Sequence, residues 1–157
     1  MIVAEKTVES YLTQSKIGQF AINPYVGCPH ACKYCYASFM KRFTGHPEPW
    51  GEFIDIKRAK RKINIARIAG KNVFMGSVTD CYNPYEAKYG IMRTILEQMV
   101  GADCYLQIAT KSKLILRDLD LLKKIPRLSV ALSVNTLDEQ FRRDMDCASS
   151  IQERLET

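Results

Sequence analysis

The stretch that decides the fold is Asn23–Tyr36, which reads NPYVGCPHACKYCY. It contains Cys28, Cys32 and Cys35, with three and then two residues between them. An odd number of thiols in such short loops does not form a disulfide framework. Three close thiolates can hold one face of a cubane 4Fe-4S cluster, which normally takes four, so that one iron stays open for a substrate or cofactor.

Zinc is the alternative that the same cysteines leave open. Structural zinc sites normally use four ligands arranged as two pairs, whereas this loop offers an unpaired triplet. His30 lies between the first two cysteines and is interpreted as a loop residue rather than as a fourth ligand.

The length of 157 residues fits a single domain and is sufficient to bury a hydrophobic core. No segment approaches the roughly 18 consecutive apolar residues of a membrane span, and the first ten residues carry charges where a signal peptide needs an apolar run. We therefore expect no membrane association and a cytoplasmic location, where thiols stay reduced. Six cysteines in that compartment favour metal or redox chemistry over disulfides.

The net charge of +6 is compatible with an anionic partner such as nucleic acid, and also with plain solubility, which we favour. The basic run 57–62, KRAKRK, is interpreted as a solvated face at the start of a helix. Contact with phosphates is its alternative interpretation.

Short apolar strands alternate with helical segments along the chain. Strands are predicted at 19–25, 53–56, 72–78, 104–109 and 128–134, and helices at 33–43, 57–68, 85–100, 114–125 and 137–145. This alternation is typical of parallel βαβ units, whose buried strands read as continuous apolar runs. Residues 1–17 are mixed and polar, and we interpret them as an N-terminal leader that packs against the domain.

Polar residues follow four of the predicted strands, at the carboxyl ends where ligands bind in parallel α/β folds. The first strand leads into the three cysteines, and the second ends in 76–84, GSVTDCYNP. The third ends in 110–112, TKS, and the fourth carries Ser133, Asn135 and Thr136. Four such clusters on consecutive strands predict one site at this edge of the sheet.

Three blocks of sequence resemble a known family: CPHACKYCY at 28–36, GSVTDCYNPYE at 76–86 and TKSKLILRDLDLL at 110–122. They are similar to the radical S-adenosylmethionine superfamily, and within it to the spore photoproduct lyase-like branch, also labelled DNA repair photolyase-like. The most specific part is the C-x3-C-x2-C motif with an aromatic residue before its last cysteine. The resemblance runs from about Phe20 to the end and implies a partial parallel (β/α) barrel, of which four βα units are predicted here.

The resemblance implies that Cys28, Cys32 and Cys35 bind a 4Fe-4S cluster. The open iron would chelate the amino and carboxylate groups of S-adenosylmethionine. Electron transfer from the reduced cluster would then generate a 5′-deoxyadenosyl radical, which abstracts a hydrogen atom from the substrate. A flavodoxin- or ferredoxin-like protein is the implied reducing electron donor. The substrate stays open, with nucleic acid suggested by the branch label and the positive charge.

The same resemblance assigns further residues to the cofactor. Tyr34 matches the aromatic position near the adenine. The segment Gly76–Asp80 occupies the place of contacts to the methionine amino group, and strand-end residues fall where the ribose or carboxylate is contacted. The implied cofactor-binding residues are Tyr34, Gly76, Ser77, Thr79, Asp80, Thr110, Lys111 and Ser133.

The sequence departs from the family pattern at Cys81 and Cys147, where that branch carries proline. A thiol near the radical can donate hydrogen, which makes Cys81 a candidate catalytic residue. A small core residue is the other interpretation, and it is also the one we expect for Cys104 and Cys147.

The four predicted units are fewer than those of the superfamily barrel and leave an open sheet edge. We expect 18–157 to be the N-terminal part of the radical SAM core, with a partner or further segment completing the barrel. A non-catalytic iron–sulfur or zinc-binding module and an inactive truncated half-barrel are the rival interpretations.

Overall fold

The computed structural model describes residues 1–157. The chain forms eight strands: β1 (Ile2–Val8), β2 (Leu12–Gln14), β3 (Phe20–Ile22), β4 (Tyr25–Val26), β5 (Phe53–Ala59), β6 (Asn72–Met75), β7 (Tyr105–Thr110) and β8 (Leu128–Leu132). Five α-helices follow: α1 (Glu86–Tyr89), α2 (Ile91–Met99), α3 (Leu119–Leu122), α4 (Glu139–Met145) and α5 (Ile151–Leu155). Three 3₁₀ helices span Tyr36–Phe43, Ile65–Ile68 and Lys113–Asp118.

The main sheet has five strands in the order β2-β3-β6-β7-β8. Strands β3, β6, β7 and β8 run parallel, and β2 pairs antiparallel with β3 at the edge. Four parallel strands that follow the order of the chain confirm the predicted α/β fold of successive βα units. Their carboxyl ends meet at one edge of the sheet, which is where the polar segments were predicted to gather.

A second sheet has the order β1-β5-β4, with β1 parallel and β4 antiparallel to β5. Residues 1–17, which we expected as a leader packed against the domain, therefore supply one strand to each sheet. No helix in the structure combines the length and the apolar character that a membrane crossing needs.

The hydrophobic core lies where α2 packs on the main sheet. One cluster of 25 buried residues joins the apolar face of α2 to the inward side chains of β3, β6 and β7. The buried face of α2 consists of Ile91, Met92, Ile95, Leu96 and Met99, at the spacing of an amphipathic helix. This packing fixes the positions of the strand ends that carry the candidate site.

The predicted helix at 57–68 is wrong for most of its length. Strand β5 continues to Ala59, and only Ile65–Ile68 forms a short 3₁₀ turn. Seven consecutive residue pairs join β5 to β1, so the pairing partner decides the conformation of a segment whose local pattern was compatible with a helix.

Other element boundaries differ where glycine turns the chain. The predicted strand 72–78 ends at Met75, because Gly76 adopts φ +80°. The predicted helix 85–100 is divided into α1 and α2 at Gly90, which adopts φ +60°. Positive φ is readily available to glycine and breaks the regular repeat of either element. The predicted helix after Cys32 begins only at Tyr36 and has 3₁₀ geometry.

Candidate functional site

The cysteine loop is held in close contact with β5. Gly27, immediately before Cys28, adopts φ +84°, and a Cβ atom at this position would lie 2.3 Å from the carbonyl oxygen of Phe53. Gly51 also lies close to the loop, since a Cβ atom at this position would lie 2.8 Å from that of Ala31. Ala31 itself has φ +47°, the single positive φ of a non-glycine residue. Two glycines therefore let the loop lie tightly between neighbouring backbones.

One cavity of about 230 Å³ brings the predicted residues together. Its wall combines the cysteine loop with the ends of β6, β7 and β8. The predicted residues that line it are Cys28, Cys32, Tyr34, Cys35, Gly76, Ser77, Thr79, Asp80, Thr110, Lys111 and Ser133. The sequence interpretation did not name His30, Tyr36, Ala37 and Phe74 as cofactor contacts, although they also line the cavity. Tyr36 and Ala37 directly follow Cys35, and that adjacency is the signal that could have identified them.

The three cavity cysteines are free thiols that differ in how deeply they are buried. Cys28 is buried, whereas Cys32 and Cys35 are half-buried. Burial, with the nearby Asp80 carboxylate, raises the pKa of Cys28 to about 12. Burial also raises the pKa of Cys32, against the opposing effect of the Lys111 ammonium. A bound metal would favour the thiolate form of a buried cysteine, because its positive charge offsets the cost of burial.

The donor set fits a cubane cluster. No three His, Cys, Asp or Glu side chains converge on one point in the way that a single metal ion requires. A cubane cluster does not require such convergence, because each thiolate binds a different iron. Three free thiols on the wall of one cavity are ligands of the type that such a cluster would take.

The carboxylate of Asp80 ties the end of β6 to the end of β7. Its Oδ1 accepts hydrogen bonds from the Thr110 hydroxyl at 2.7 Å and from the Tyr82 amide at 2.9 Å. Its Oδ2 accepts one from the Lys111 amide at 2.8 Å. Burial alone would raise the pKa of Asp80, but the approach of His30 and these hydrogen bonds bring it below its usual value. Both carboxylate oxygens already accept hydrogen bonds from the protein, so Asp80 holds the cavity wall in place.

His30 lies against the same carboxylate. Its Nδ1 is 3.3 Å from Asp80 Oδ2 and lacks the alignment of a hydrogen bond to any partner, although the ring is only 2% exposed. The sequence interpretation expected a loop residue here. The structure places His30 on the cavity wall, next to the Asp80 carboxylate.

Ser77 and Thr79, in the loop that follows β6 (the β6 loop), form hydrogen bonds with residues of the stretch Asn23–Tyr36. The Thr79 hydroxyl donates to the Gly27 carbonyl at 2.8 Å. The Asn23 amide donates to Ser77 Oγ at 2.9 Å, and Tyr36 donates to the Ser77 carbonyl. These bonds fix the distance between the cysteine loop and the β6 loop, which face each other across the cavity.

The segment 145–147 supports the cysteine loop from outside the cavity. The Lys33 amide donates to the Met145 carbonyl at 3.0 Å, and the Cys147 amide donates to the His30 carbonyl at 2.7 Å. Asp146 accepts a hydrogen bond from the Tyr34 hydroxyl at 3.0 Å. The sequence interpretation missed this support, because nothing in a local pattern relates residues so far apart in the chain.

Arg154 of α5 neutralises Asp146 in the protein interior. The two side chains form an ion pair and are almost completely buried, at 1% and 0% exposure. Arg154 also donates to the Ser133 carbonyl at 3.3 Å, just beyond the end of β8. The pair therefore links the cysteine loop, the last strand of the sheet and the last helix.

Lys111 and Ser133 are the cavity side chains left free to meet a ligand. No hydrogen bond or ion pair within the protein involves the Lys111 ammonium, which lies 5.7 Å from the centroid of the Tyr34 ring. The Ser133 hydroxyl likewise has no partner in the protein, although its backbone amide donates to Thr110. A cation, a hydroxyl and an aromatic ring thus line the same cavity as the thiols.

The remaining cysteines lie outside this cavity wall. Cys81 is fully buried in the core cluster, directly behind the turn at Gly76. Cys104 is buried in the same cluster, as expected. The expectation that Cys147 is a core residue is wrong, because its side chain is exposed at the end of α4.

The basic run 57–62 lies on β5 and the turn after it rather than at a helix start. Arg58 pairs with Glu5, and Lys60 and Arg61 pair with Glu9. The acidic partners come from β1 and the residue after its end, so two carboxylates pair with three of the five cations of this run.

Residues 22–157 match the family model described as the Radical SAM superfamily. The chain belongs to the radical SAM superfamily. This match spans the cysteine loop and all four parallel strand ends, and it confirms the family resemblance of the sequence.

The curated relatives of this radical SAM chain are longer proteins. An uncharacterized protein of Methanocaldococcus jannaschii is 36% identical over 137 residues, which cover 87% of this chain and 52% of the relative. An uncharacterized protein of Acidianus two-tailed virus is 36% identical over 134 residues, with 78% and 44% covered. The chain spans about half the length of the curated relatives it matches.

Solved structures of spore photoproduct lyase share the fold. The lyase complexed with dinucleoside spore photoproduct aligns with a TM-score of 0.69 and 15% identity, covering 98% of this chain and 46% of that chain. A double mutant with bound AdoMet and the same photoproduct aligns with a TM-score of 0.67 and 15% identity, covering 92% and 43%. The alignment agrees with the partial barrel predicted from the resemblance.

Proposed function

We propose that this chain forms the cofactor-binding part of a radical SAM enzyme. In this proposal Cys28, Cys32 and Cys35 bind a 4Fe-4S cluster, and the adjoining cavity takes S-adenosylmethionine. The observation that carries the proposal is that all three thiols share one cavity wall with the ends of three parallel strands. Family membership supports it independently.

Different residues of the cavity would bind the cluster and S-adenosylmethionine. The thiol of Cys28 anchors the buried side of the cluster, and Cys32 and Cys35 hold its more exposed side. The Lys111 ammonium and the Ser133 hydroxyl are suited to the carboxylate or ribose oxygens of S-adenosylmethionine, because neither has a partner in the protein. The ring of Tyr34 offers an apolar face to the adenine.

A reduced cluster held by Cys28, Cys32 and Cys35 would supply the electron for the reductive cleavage of S-adenosylmethionine. The protein must orient the cofactor and keep water from this chemistry. Phe74 and Ala109 contribute apolar wall on the sheet side of the cavity, and Ala37 does so on the helix side. The bonds of Asp80 and Thr79 hold these walls at a fixed separation.

Anaerobic reconstitution with iron and sulfide tests the cluster. We expect a thiolate charge-transfer absorbance near about 400 nm that is lost in Cys28→Ala, Cys32→Ala and Cys35→Ala. Cys147→Ala is the matched control, since it removes an exposed thiol outside the cavity and should keep the full absorbance. A full cluster in all three cavity variants would overturn the proposal.

Cleavage of S-adenosylmethionine separates an enzyme from a non-catalytic cluster module. After reduction with dithionite, we expect 5′-deoxyadenosine to form and to be detected by chromatography. A stable reduced cluster without this product would identify the non-catalytic module instead. Zinc retained by the three cysteines after purification, with no uptake of iron, would identify the zinc-binding alternative.

A nucleic acid is the substrate class that we propose. The support is the structural neighbour that was solved with dinucleoside spore photoproduct. We expect ultraviolet-irradiated DNA to increase the yield of 5′-deoxyadenosine above that obtained with unirradiated DNA. Equal yields would refute photolesions in DNA as the substrate without affecting the proposals on the cluster and the cofactor.

A further inference from the structure

The 3₁₀ helix Tyr36–Phe43 exposes aromatic and cationic side chains directly after the last cysteine of the loop. Phe39 and Phe43 are 47% and 66% exposed. Lys41 and Arg42 lie in its last turn, and the helix contains no acidic residue. Together with Lys33 in the cysteine loop, these residues form what we call the basic aromatic surface: Lys33, Phe39, Lys41, Arg42 and Phe43.

The positive charge of the basic aromatic surface is not neutralised within the protein. Lys33, Lys41 and Arg42 take part in none of the ion pairs of the chain. No Asp or Glu occurs between Lys33 and Pro47. The run at 57–62 differs in this respect, because Glu5 and Glu9 pair with three of its cations. Three cations without an acidic partner therefore lie in the cysteine loop and in the helix that follows it.

The basic aromatic surface is also close to the site that must receive electrons. Cys35 is the N-cap of the 3₁₀ helix, and the helix has eight residues. At a rise of about 2.0 Å per residue, its far end lies only about 16 Å along the axis from that cysteine. A molecule seated on this helix is near the cluster without having to enter the cofactor cavity.

We propose that the basic aromatic surface is the docking site of an acidic one-electron donor protein. This inference rests on the proposed function, because a cluster that cleaves S-adenosylmethionine must first be reduced from outside. In each encounter one electron leaves the reduced flavin of the donor, which is oxidised by one electron, and enters the cluster, whose net charge falls by one. The cations attract the acidic rim of the donor, and the two phenyl rings supply the apolar centre of the contact.

The observations favour a protein donor over a nucleic acid on this surface. The Arg42 guanidinium lies 5.6 and 4.7 Å from the centroids of the Phe39 and Phe43 rings, so a base that stacked on those ring faces would first have to displace this cation. Three cations on one short helix and its adjoining loop do not trace the extended basic track that a nucleic-acid backbone follows. Transient redox complexes use small, electrostatically steered contacts of this kind.

The test compares two reductants on the reconstituted chain. Lys41→Glu/Arg42→Glu reverses the charge of the surface, and Lys123→Glu/Lys124→Glu is the charge-matched control on the turn before β8, at the opposite end of the strands. Photoreduced bacterial flavodoxin, which is acidic, and dithionite are each mixed with the cluster-bearing chain in a stopped-flow instrument. The bleaching of cluster absorbance gives the rate of electron transfer.

We expect the flavodoxin rate to fall by about tenfold in the Lys41→Glu/Arg42→Glu chain at low salt, and the deficit to shrink as salt screens the charges. The dithionite rate and the cluster content should stay at the parent level, and the Lys123→Glu/Lys124→Glu chain should match the parent with both reductants. An unchanged flavodoxin rate would overturn the docking proposal. So would loss of binding to a DNA oligonucleotide in the same variant while the flavodoxin rate is kept.

A binding measurement keeps this proposal separate from the proposed function. The affinity of the cluster-free chain for oxidised flavodoxin is measured through the fluorescence of the flavin. We expect the Lys41→Glu/Arg42→Glu variant to bind about tenfold more weakly than the parent and the control. Equal affinities would refute docking, whatever the cluster does. Failure of the parent to cleave S-adenosylmethionine, with binding still sensitive to the charge reversal, would refute only the proposed function.

Discussion

The hydroxyl of Tyr34 donates a hydrogen bond of 3.0 Å to the carboxylate of Asp146, across 112 positions of sequence. Tyr34 stands directly before the last cavity cysteine, and Asp146 is fully buried beneath the cysteine loop. The ion pair of Asp146 with Arg154 extends this link to α5. The loop that carries the cysteines thus depends on the last twelve residues for its support.

Replacing Asp146 by asparagine tests this support. The substitution leaves the Arg154 guanidinium buried without a counter-charge, so we expect the free energy of unfolding to fall by about 3 kcal/mol. Urea-induced unfolding measures the loss. Asp144→Asn is the matched control, because Asp144 is exposed two residues earlier and should change stability by no more than about 0.5 kcal/mol. Equal stability of the two variants would contradict the role given to Asp146.

The acid sensitivity of the chain should depend on the same carboxylate. Burial alone would raise the pKa of Asp146, but Arg154, the Ala148 amide and Tyr34 hold it below its usual value. A lowered pKa in the folded state stabilises the fold above the unfolded pKa of about 3.9, and that stabilisation is lost as pH falls through the folded pKa. Unfolding free energies between pH 7 and pH 3 should therefore decline less steeply in Asp146→Asn than in the parent. Parallel declines would show that another group is responsible.

Gly27 offers a test of the close approach between the cysteine loop and β5. In Gly27→Ala the new methyl group would lie 2.3 Å from the Phe53 carbonyl oxygen, and we expect the chain to lose stability and iron uptake together. In Gly45→Ala the residue also has positive φ, at +76°, but the methyl group meets nothing within 4 Å. The free energy of unfolding of this control should fall only by about 1 to 2 kcal/mol, the cost of a left-handed backbone conformation for alanine. The control should keep its cluster. Unfolding curves and iron content measure both effects.

Lys111 is the cavity cation that we expect to contact S-adenosylmethionine. Lys111→Gln removes one charge-assisted contact, so the affinity of the reconstituted chain for S-adenosylmethionine should fall by about tenfold, or about 1.4 kcal/mol. Equilibrium dialysis with labelled cofactor measures it. Lys113→Gln is the control, since Lys113 pairs with Glu153 on the surface and should bind the cofactor as the parent does. An unchanged affinity in Lys111→Gln would remove Lys111 from the cofactor site.

Strand β8 has one pairing partner, β7, and lies at an edge of the main sheet. Val130 in its centre is 44% exposed. An apolar edge of this kind promotes association through the free backbone groups, and a lysine on it opposes association. We expect Val130→Lys to lower the self-association of concentrated chain, as measured by analytical ultracentrifugation. Gln152→Lys on α5 adds the same charge away from the edge and should have no such effect.

The parallel strands and their order were predictable because their apolar runs are continuous and their turns are marked by glycine and proline. The cavity residues were predictable for a related reason. Carboxyl ends of consecutive parallel strands meet at one edge, so the polar segments after β3, β6, β7 and β8 had to face each other. The local conformation of 57–64 was not predictable in this way, since its pairing with β1 overrides a pattern compatible with a helix.

By itself, the sequence predicted the three cysteines as a ligand set, and it determined the parallel topology and the edge of the sheet at which the polar segments gather, because cysteine spacing and apolar periodicity are local properties of the chain. Only the tertiary structure decided which polar residues remain free for a ligand. Asp80 and Thr79 prove to be occupied by other parts of the protein, whereas Lys111 and Ser133 are not. Hydrogen-bond partners, the burial of Asp146 beneath Tyr34 and the unpaired charge beside Cys35 arise from contacts between distant segments, which no local pattern encodes.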